Sequence, residues 1–350
     1  MLMTLEEREL ERFLGIMDTF RKIRVGVIGD LVADSYIYGV PARLSREAPV
    51  VILRYEKEEF FPGGAANTVS NLLGLGGKVL VLGMVGEDMA GKRIIEHLDA
   101  KGADISGVIR SPEWKTIAKM RFLAGDFNTK KQQVLRIDQE PDRVPAEDEI
   151  SALEEKVKEE LGRIDAWVVS DYGYQLASPE IIRLMQEEAA RGKVVVGDSR
   201  YRVRELRGFT LLTPNEMELF QAFGTEQIPV GGASDALVVE TGRRLLEELG
   251  SSVLVTRGNR GMMLFEPGRE ARDIPISGST DIVDVSGAGD TVVSAATLAL
   301  AAKASLHEAA RLANIAAGVK VMKRGTLPVH AEELRAAASR LALNGRPGKS

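Results

Sequence analysis

The residues Asp284-Val285-Ser286-Gly287-Ala288-Gly289-Asp290-Thr291 join a carboxylate to a glycine turn. Two glycines allow a tight turn with its backbone amides exposed. Thr291 to Ala302 follows, rich in alanine with valine and leucine, a good helix former. The amides of Gly287, Ala288, Gly289 and Asp290 are therefore expected at a helix N-terminus, where anions bind. Asp290 falls in the same first turn. Aspartate also caps helices, and capping alone could account for it. One carboxylate beside several donors suits phosphoryl transfer. The base takes a proton from a hydroxyl while the amides hold the phosphate charge.

Two further stretches could meet a polar substrate. Arg24 to Ile28 is a short apolar strand ending at Gly29-Asp30, and Asp34 follows. A carboxylate at the end of the first strand of a parallel sheet points into the ligand crevice. A turn-forming role fits Asp30 better than Asp34. Pro62-Gly63-Gly64-Ala65-Ala66-Asn67 opens a helix reaching about Leu75. Paired glycines permit close backbone approach, and Asn67 can both donate to and accept from a sugar hydroxyl. The alternative is an unusual helix cap.

Composition removes other chemistries. The 350 residues contain no cysteine, which excludes disulfides, thiolate zinc and cysteine nucleophiles. His97, His307 and His330 are far apart and in no metal-binding spacing. A net charge of −5 argues against general nucleic-acid affinity but not against phosphate substrates. No G-x-x-x-x-G-K-[ST] and no G-x-G-x-x-G after the first strand is present, so the phosphate site must be the turn at Gly287. Residues 1–20 read as an amphipathic helix rather than a signal peptide. The longest apolar run, around Ala295 to Ala302, is too short to span a membrane. The expected protein is cytoplasmic, with no membrane or nucleic-acid partner.

The elements that must position these residues alternate. Strands are expected at Val79–Leu82, Ala166–Ser170, Lys193–Val196, Leu211-Leu212 and Val253–Thr256. Helices are expected at Ala90–Ala100, Glu147–Leu161, Pro179–Ala190, Asn215–Phe223 and Asp235–Leu249. This predicts one α/β domain over 1–350, with a doubly wound, mostly parallel sheet. Two stretches, about 36–61 and 116–138, read as paired strands without helices. They are expected to form a small β-sheet lid that excludes water from the site. Exposed edges and apolar faces of such a lid need cover, which predicts a homodimer through the lids. The tail 344–350 is expected to be disordered.

Together these residues resemble the ribokinase-like, or PfkB, carbohydrate kinases from about Arg24 to His330. Two signatures carry the likeness: Gly63 to Asn67 continuing through Gly83-Met84-Val85-Gly86-Glu87-Asp88, and Asp284 to Thr291. The resemblance implies a three-layer fold and an ATP-dependent sugar kinase. It implies Asp290 as catalytic base, with Gly287, Ala288 and Gly289 as the anion hole. It also implies that Asn215 and Glu218 help place ATP phosphates and Mg2+, Glu218 through water. Thr256, Arg257, Gly258 and Asn314 match stretches flanking the nucleotide, and the family allows for a monovalent cation. Without the resemblance, Asn215 reads only as a helix cap after Pro214.

Within the family, Arg43 to Val50, Gln132 to Asp138, Ser170-Asp171-Tyr172 and Leu211 to Asn215 are similar to the subgroup that phosphorylates heptose 7-phosphate in the ADP-heptose pathway. That likeness implies D-glycero-β-D-manno-heptose 7-phosphate as substrate, phosphorylated at C1 for lipopolysaccharide precursors. Asp171 is then a substrate-side residue. A substrate bearing a remote dianion needs cationic partners, and the candidates are Arg43, Arg136 and Arg200. Each could instead be a solvated surface arginine, the preferred reading for Arg202 and Arg204. Two positions depart from the subgroup: Tyr174-Gln175 follow Gly173 where a lysine is usual nearby, and Ser199-Arg200 stand in place of Pro-Lys. The nucleotidyltransferase domain sometimes fused to this kinase is not expected here. The alternatives are a kinase for another sugar, a sugar acid or a nucleoside, and a non-catalytic sensor, which would be expected to lose Asp290.

Overall fold

The computed structural model describes residues 5–126, 131–225, 233–277 and 282–344. In chain order the elements are α1 (Leu5–Thr19), β1 (Arg24–Gly29), β2 (Leu31–Leu44), β3 (Val51–Gly64), α2 (Ala65–Gly74), β4 (Lys78–Gly86), α3 (Met89–Ala100), β5 (Asp104–Ser111), β6 (Ile117–Ala124), β7 (Gln132–Gln139), α4 (Glu147–Glu160) and β8 (Ala166–Asp171). There follow α5 (Pro179–Ala190), β9 (Val194–Ser199), β10 (Leu211–Leu212), α6 (Glu216–Gln221), α7 (Asp235–Leu249), β11 (Ser252–Thr256), β12 (Met262–Phe265), β13 (Arg272–Ile274), α8 (Ala288–Ala301), α9 (Leu306–Lys320) and α10 (Ala331–Asn344).

The large sheet runs β13-β12-β11-β10-β9-β8-β1-β4-β5. It is parallel from β11 to β5, and only the β11–β12 and β12–β13 pairs are antiparallel, so β12 alone runs against the rest. Helices cover both faces, as the side-chain alternation requires. Along β1, Val25 and Val27 enter one apolar cluster with α2, α8 and α9, while Ile28 enters the other with α4, α5 and α7. The alternating elements agree with the expected doubly wound α/β sheet. β5, the β12–β13 pair, α9 and α10 were not foreseen. They are short or alanine-rich and give a weak periodic signal.

A second sheet, β3-β2-β6-β7, stands apart as the lid. The β2–β3 and β6–β7 pairs are antiparallel, and β2–β6 is parallel. Its first strand begins earlier than expected, at Leu31. Only Asp30 separates β1 from β2, so Asp34 lies within the lid rather than at the end of the first core strand. The lid is thus continuous with the core through β1 on one side and α2 on the other. The expected tail begins at Asn344, the last residue of α10, and 345–350 lie outside the described residues.

The sheet also fixes where a ligand can sit. β1 is flanked by β4 and β8, and the chain leaves it in opposite directions on the two sides. Such a switch point opens a crevice beyond the carboxyl ends of the strands. Asp30, Asp171, Ser199, Thr213 and Thr256 all stand at those ends.

Candidate active site

Helix α8 starts at the glycine turn. Gly287 has φ of +76°, and a side chain there would collide with the Asn67 amide. The helix is buried on every side from Asp290 to Leu300, which its small residues permit. Asp290, 5% exposed, therefore sits on a rigid element. Its Oδ2 accepts from Asn67 Nδ2 at 2.6 Å, and its Oδ1 accepts from Thr68 Oγ1 at 3.1 Å and from the Tyr172 hydroxyl at 3.0 Å. Burial pushes its pKa up to about 6, against the pull of the Asn67, Tyr172 and Thr68 donors. A carboxylate held there is ionised at neutral pH yet basic enough to take a proton.

The Asn67 side chain, expected on a sugar hydroxyl, is instead engaged inside the protein. Its amide nitrogen serves Asp290, and its Oδ1 accepts from Asn71 Nδ2 at 3.2 Å. It orients the Asp290 carboxylate. Gly63 leaves room for Asp34, whose carboxylate a side chain at 63 would strike. Gly64, at φ +57°, precedes α2. Asp34 is buried, pairs with Arg121 at 2.5 Å, and lies close enough to Asp290 to raise its pKa.

The lid brings cations to Asp34. Cross-strand register aligns Asp34 with Lys119 and Asp138, and Tyr36 with Arg121 and Arg136. Residues two apart share a face, so one face carries Asp34, Lys119, Arg121 and Arg136. The Lys119 ammonium lies 5.8 Å from the Tyr172 ring centre. Burial lowers its pKa, Asp34 opposes, and Arg136, Arg200 and Arg121 lower it further. Arg136 is exposed and holds Asp138 through two bonds of 2.7 and 2.6 Å. Arg43 is exposed and nine residues beyond Asp34 on the same strand, roughly 30 Å at strand rise. Lys119 and Arg121 were not singled out from the sequence. Their two-residue spacing was visible, but which face they share depended on register.

Asp171 and Arg200 line a cavity of about 350 Å3 with Asp198, Tyr201 and Glu218. The Asp171 carboxylate is occupied: Oδ2 accepts from Ser199 Oγ at 2.6 Å and Oδ1 from the Gly173 amide at 3.1 Å. Ser199, one of the departures from the subgroup, thus holds Asp171. Asp30 Oδ2 accepts from the Tyr172 and Tyr174 amides at 2.7 and 3.3 Å. Burial first, then Asp171, pushes the Asp30 pKa to about 7.

On the other side of the turn is a largely apolar cavity of about 530 Å3. Thr256, Gly258, Met262, Ile276, Ala288, Gly289 and Asn314 are among its lining residues. Asn314 donates to Pro275 O at 2.6 Å and Ser277 Oγ at 3.1 Å. Arg257 is not in this lining. Its buried guanidinium pairs with Glu216 at 3.3 Å, Asp273 at 3.1 Å and Asp235, which turns it into the protein. A smaller cavity of about 190 Å3 joins the two regions, lined by Tyr172, Asp198, Asn215, Glu218, Gly287 and Asp290 among others. Asn215 caps α6: its Oδ1 accepts from the Glu218 amide, and Glu218 Oε2 accepts from the Asn215 amide, both at 2.9 Å. Burial, Glu218 and Asp290 push the Asp198 pKa well up, and burial raises that of Glu218. Asp198 was passed over as a site residue because only its following dipeptide drew notice.

A model of the pfkB family carbohydrate kinases matches residues 23–332. The Bifunctional protein HldE of Caulobacter vibrioides is 37% identical over 327 residues, covering 92% of this chain and 64% of its own length. That of Pseudomonas aeruginosa is 38% identical over 327 residues, covering 93% of this chain and 65% of its own. The chain thus spans just under two thirds of those relatives. Ribokinase of Arabidopsis thaliana, solved with ribose and ATP, superposes with a TM-score of 0.68 at 21% identity, over 91% of this chain and 98% of that one. Phosphofructokinase-2 of Escherichia coli, solved with substrates and products, gives 0.72 at 20% identity, over 91% and 99%. The same enzyme has been solved with potassium. The fold is ribokinase-like, with a parallel core sheet and a separate lid sheet over its crevice. The chain belongs to the pfkB family of carbohydrate kinases.

The Tyr172 hydroxyl yields a test. It donates to Asp290 and so favours the ionised form. Tyr172→Phe removes that donor and raises the Asp290 pKa further above about 6. The acid limb of the kcat/KM profile for ATP-dependent turnover should move to higher pH. A limb that stays in place would show that Asp290 is not the group titrating there.

Proposed function

We propose that the chain transfers the γ-phosphate of ATP to the C1 hydroxyl of D-glycero-β-D-manno-heptose 7-phosphate. The observation that carries this reading is Asp290 at the head of α8, facing a lid that gathers Asp34 with Lys119, Arg121 and Arg136. The likeness to the heptose 7-phosphate subgroup and to the HldE proteins supports the choice of sugar.

Asp290 takes the proton of the attacking hydroxyl while Asn67, Thr68 and Tyr172 hold its carboxylate in place. The amides of Gly287 to Gly289 stabilise the charge of the transferring group. Asp34 accepts from a sugar hydroxyl, and the lid excludes water that would otherwise take the phosphate. Lys119, Arg136 and Arg200 hold the remote phosphate. Gly63 and Gly64 keep the lid hairpin close to α2, and Asp171 braces the Ser199–Arg200 corner. Arg43 belongs to this reading only from a neighbouring lid.

ATP fits the apolar cavity beside Gly258 and Asn314 for its base, with its phosphates toward the turn, and it supplies the phosphoryl group. Arg257 supports that cavity wall from behind. Glu218 and Asp290 raise the Asp198 pKa and Asp290 raises that of Glu218, a crowding of carboxylates that a divalent cation relieves. Among the described residues no three such side chains could grip a metal directly. A water-mediated Mg2+ at Glu218 and Asp198 fits both facts, since Mg2+ keeps its waters and leans on phosphates.

The lid hairpin and β7 expose Leu44, Val50, Val51, Tyr55, Val134 and Leu135. These apolar residues on a small sheet suit a homodimer through the lids. Light scattering at micromolar concentration should give twice the chain mass, and a monomer there would remove this part of the reading. No helix among the described residues is long and apolar enough to cross a membrane.

Two substitutions test the chemistry. Asp290→Asn should abolish ADP release on the best sugar, and near-normal turnover would defeat the base assignment. Lys119→Ala or Arg136→Ala should raise KM for heptose 7-phosphate about 10- to 100-fold, one charge-assisted contact each. Neither should much affect the matching free sugar. A wild-type preference for free ribose, fructose or a sugar acid would sink the heptose assignment and leave the kinase intact.

A further inference from the structure

Lys320 ends α9 with no exposed surface, and its ammonium has no hydrogen-bond partner in the protein. An unpaired buried ammonium is costly and calls for a reason. Its position supplies one. The next residue, Val321, accepts through its carbonyl from the amides of Val283 and Asp284, at 2.9 and 3.0 Å. These lead into the phosphate-binding turn. Asp284 braces that turn: its Oδ1 accepts from the Ser286 amide at 2.9 Å and its Oδ2 from the Gly325 amide at 2.8 Å. Burial pushes the Lys320 pKa down, Asp284 and Asp290 push it up, and Lys323 opposes them. Burial would raise the Asp284 pKa, but its backbone donors and Lys320 hold it below the ordinary value. The ammonium thus lies within the field of both carboxylates that bound the turn.

We propose that Lys320 is a built-in cation behind the phosphate-binding turn, fixing Asp284 and lending positive charge to the amides of Gly287 to Gly289. It acts through the turn and is a positioning residue, not a catalytic one. The turn approaches the phosphate with its amides, and these are only partial charges. A full charge in a dry interior acts over several ångströms. The chain thereby carries its own monovalent cation and needs none from solution. The inference rests on the turn being the phosphoryl-transfer site.

Lys320→Met keeps the length of the side chain and removes the charge. Turnover is measured in tetramethylammonium buffer, with and without potassium or ammonium chloride. Binding of a non-hydrolysable ATP analogue is measured by calorimetry under the same conditions, without sugar. Wild type should be indifferent to potassium. Lys320→Met, with its melt confirming a folded chain, should lose about tenfold or more in kcat. It should bind the analogue more weakly, and potassium or ammonium entering the vacated space should restore part of both. A folded Lys320→Met with wild-type kcat and analogue affinity overturns the proposal. So does a wild type that requires potassium, a readout that stands even if the variant does not fold. A wild type that binds no ATP analogue defeats the kinase reading itself.

Discussion

The site depends on keeping one carboxylate ionised inside the protein. Asp290 is buried at the head of a buried helix, and burial pushes its pKa up toward neutral pH. Three donors from two places oppose that: Asn67 and Thr68 on α2, and Tyr172 beyond β8. Their balance leaves the pKa at about 6 instead of the ordinary 3.8. That difference costs the native state roughly 3 kcal/mol at neutral pH. The sign follows from the raised value. The group's contribution to stability is full below pH 3.8 and is lost as pH rises through 6. Asp30, raised to about 7, acts in the same direction. The fold retains both, so the crevice is held at some expense of stability, as functional sites commonly are.

The requirement reaches outward into the topology. The donors to Asp290 come from α2 and the β8 corner, so its carboxylate is held only when α2, α8 and the central strands are packed together. The lid hairpin leaves β1 through Asp30 and returns directly into α2. The small sheet is therefore joined to the helix that orients Asp290. Asp34 illustrates the link. It belongs to the lid, it pairs with Arg121 on the neighbouring lid strand, and it bears on the Asp290 pKa. The charge around Asp290 thus depends on the position of a lid residue as well as on the core.

The parts legible in the sequence were those set by local rules. The glycine turn, the carboxylate after it and the alanine-rich helix are contiguous, and each follows from backbone conformation and propensity. Asn215 was legible as a helix cap, and in the structure it forms a capping box with Glu218. The alternation of strands and helices gave the sheet type, because its period is local too. What was hidden depended on partners distant in the chain. Lys119 and Arg121 acquire a meaning only when β6 pairs with β2 and sets them beside Asp34. The Asn67 amide was assigned to a sugar because the sequence does not show that Asp290, 223 residues away, takes it first. Arg257 flanks the apolar cavity in sequence but faces three acids from other elements, and its charge settles among them.

Lys320 shows the same limit from the opposite side. A lysine in the last turn of a helix has a sufficient local explanation, since cations there complement the helix dipole. Nothing in its neighbours along the chain suggests burial. Only the packing of α9 beneath the loop leading into α8 removes it from water and leaves its ammonium without an acceptor. A surface lysine in that turn would gain a few tenths of a kcal/mol from the dipole, whereas a buried unpaired one costs several. The difference is too large for dipole complementarity to be the reason the residue is tolerated. What remains near it to offset that cost is the pair of carboxylates on either side of the turn, Asp284 and Asp290.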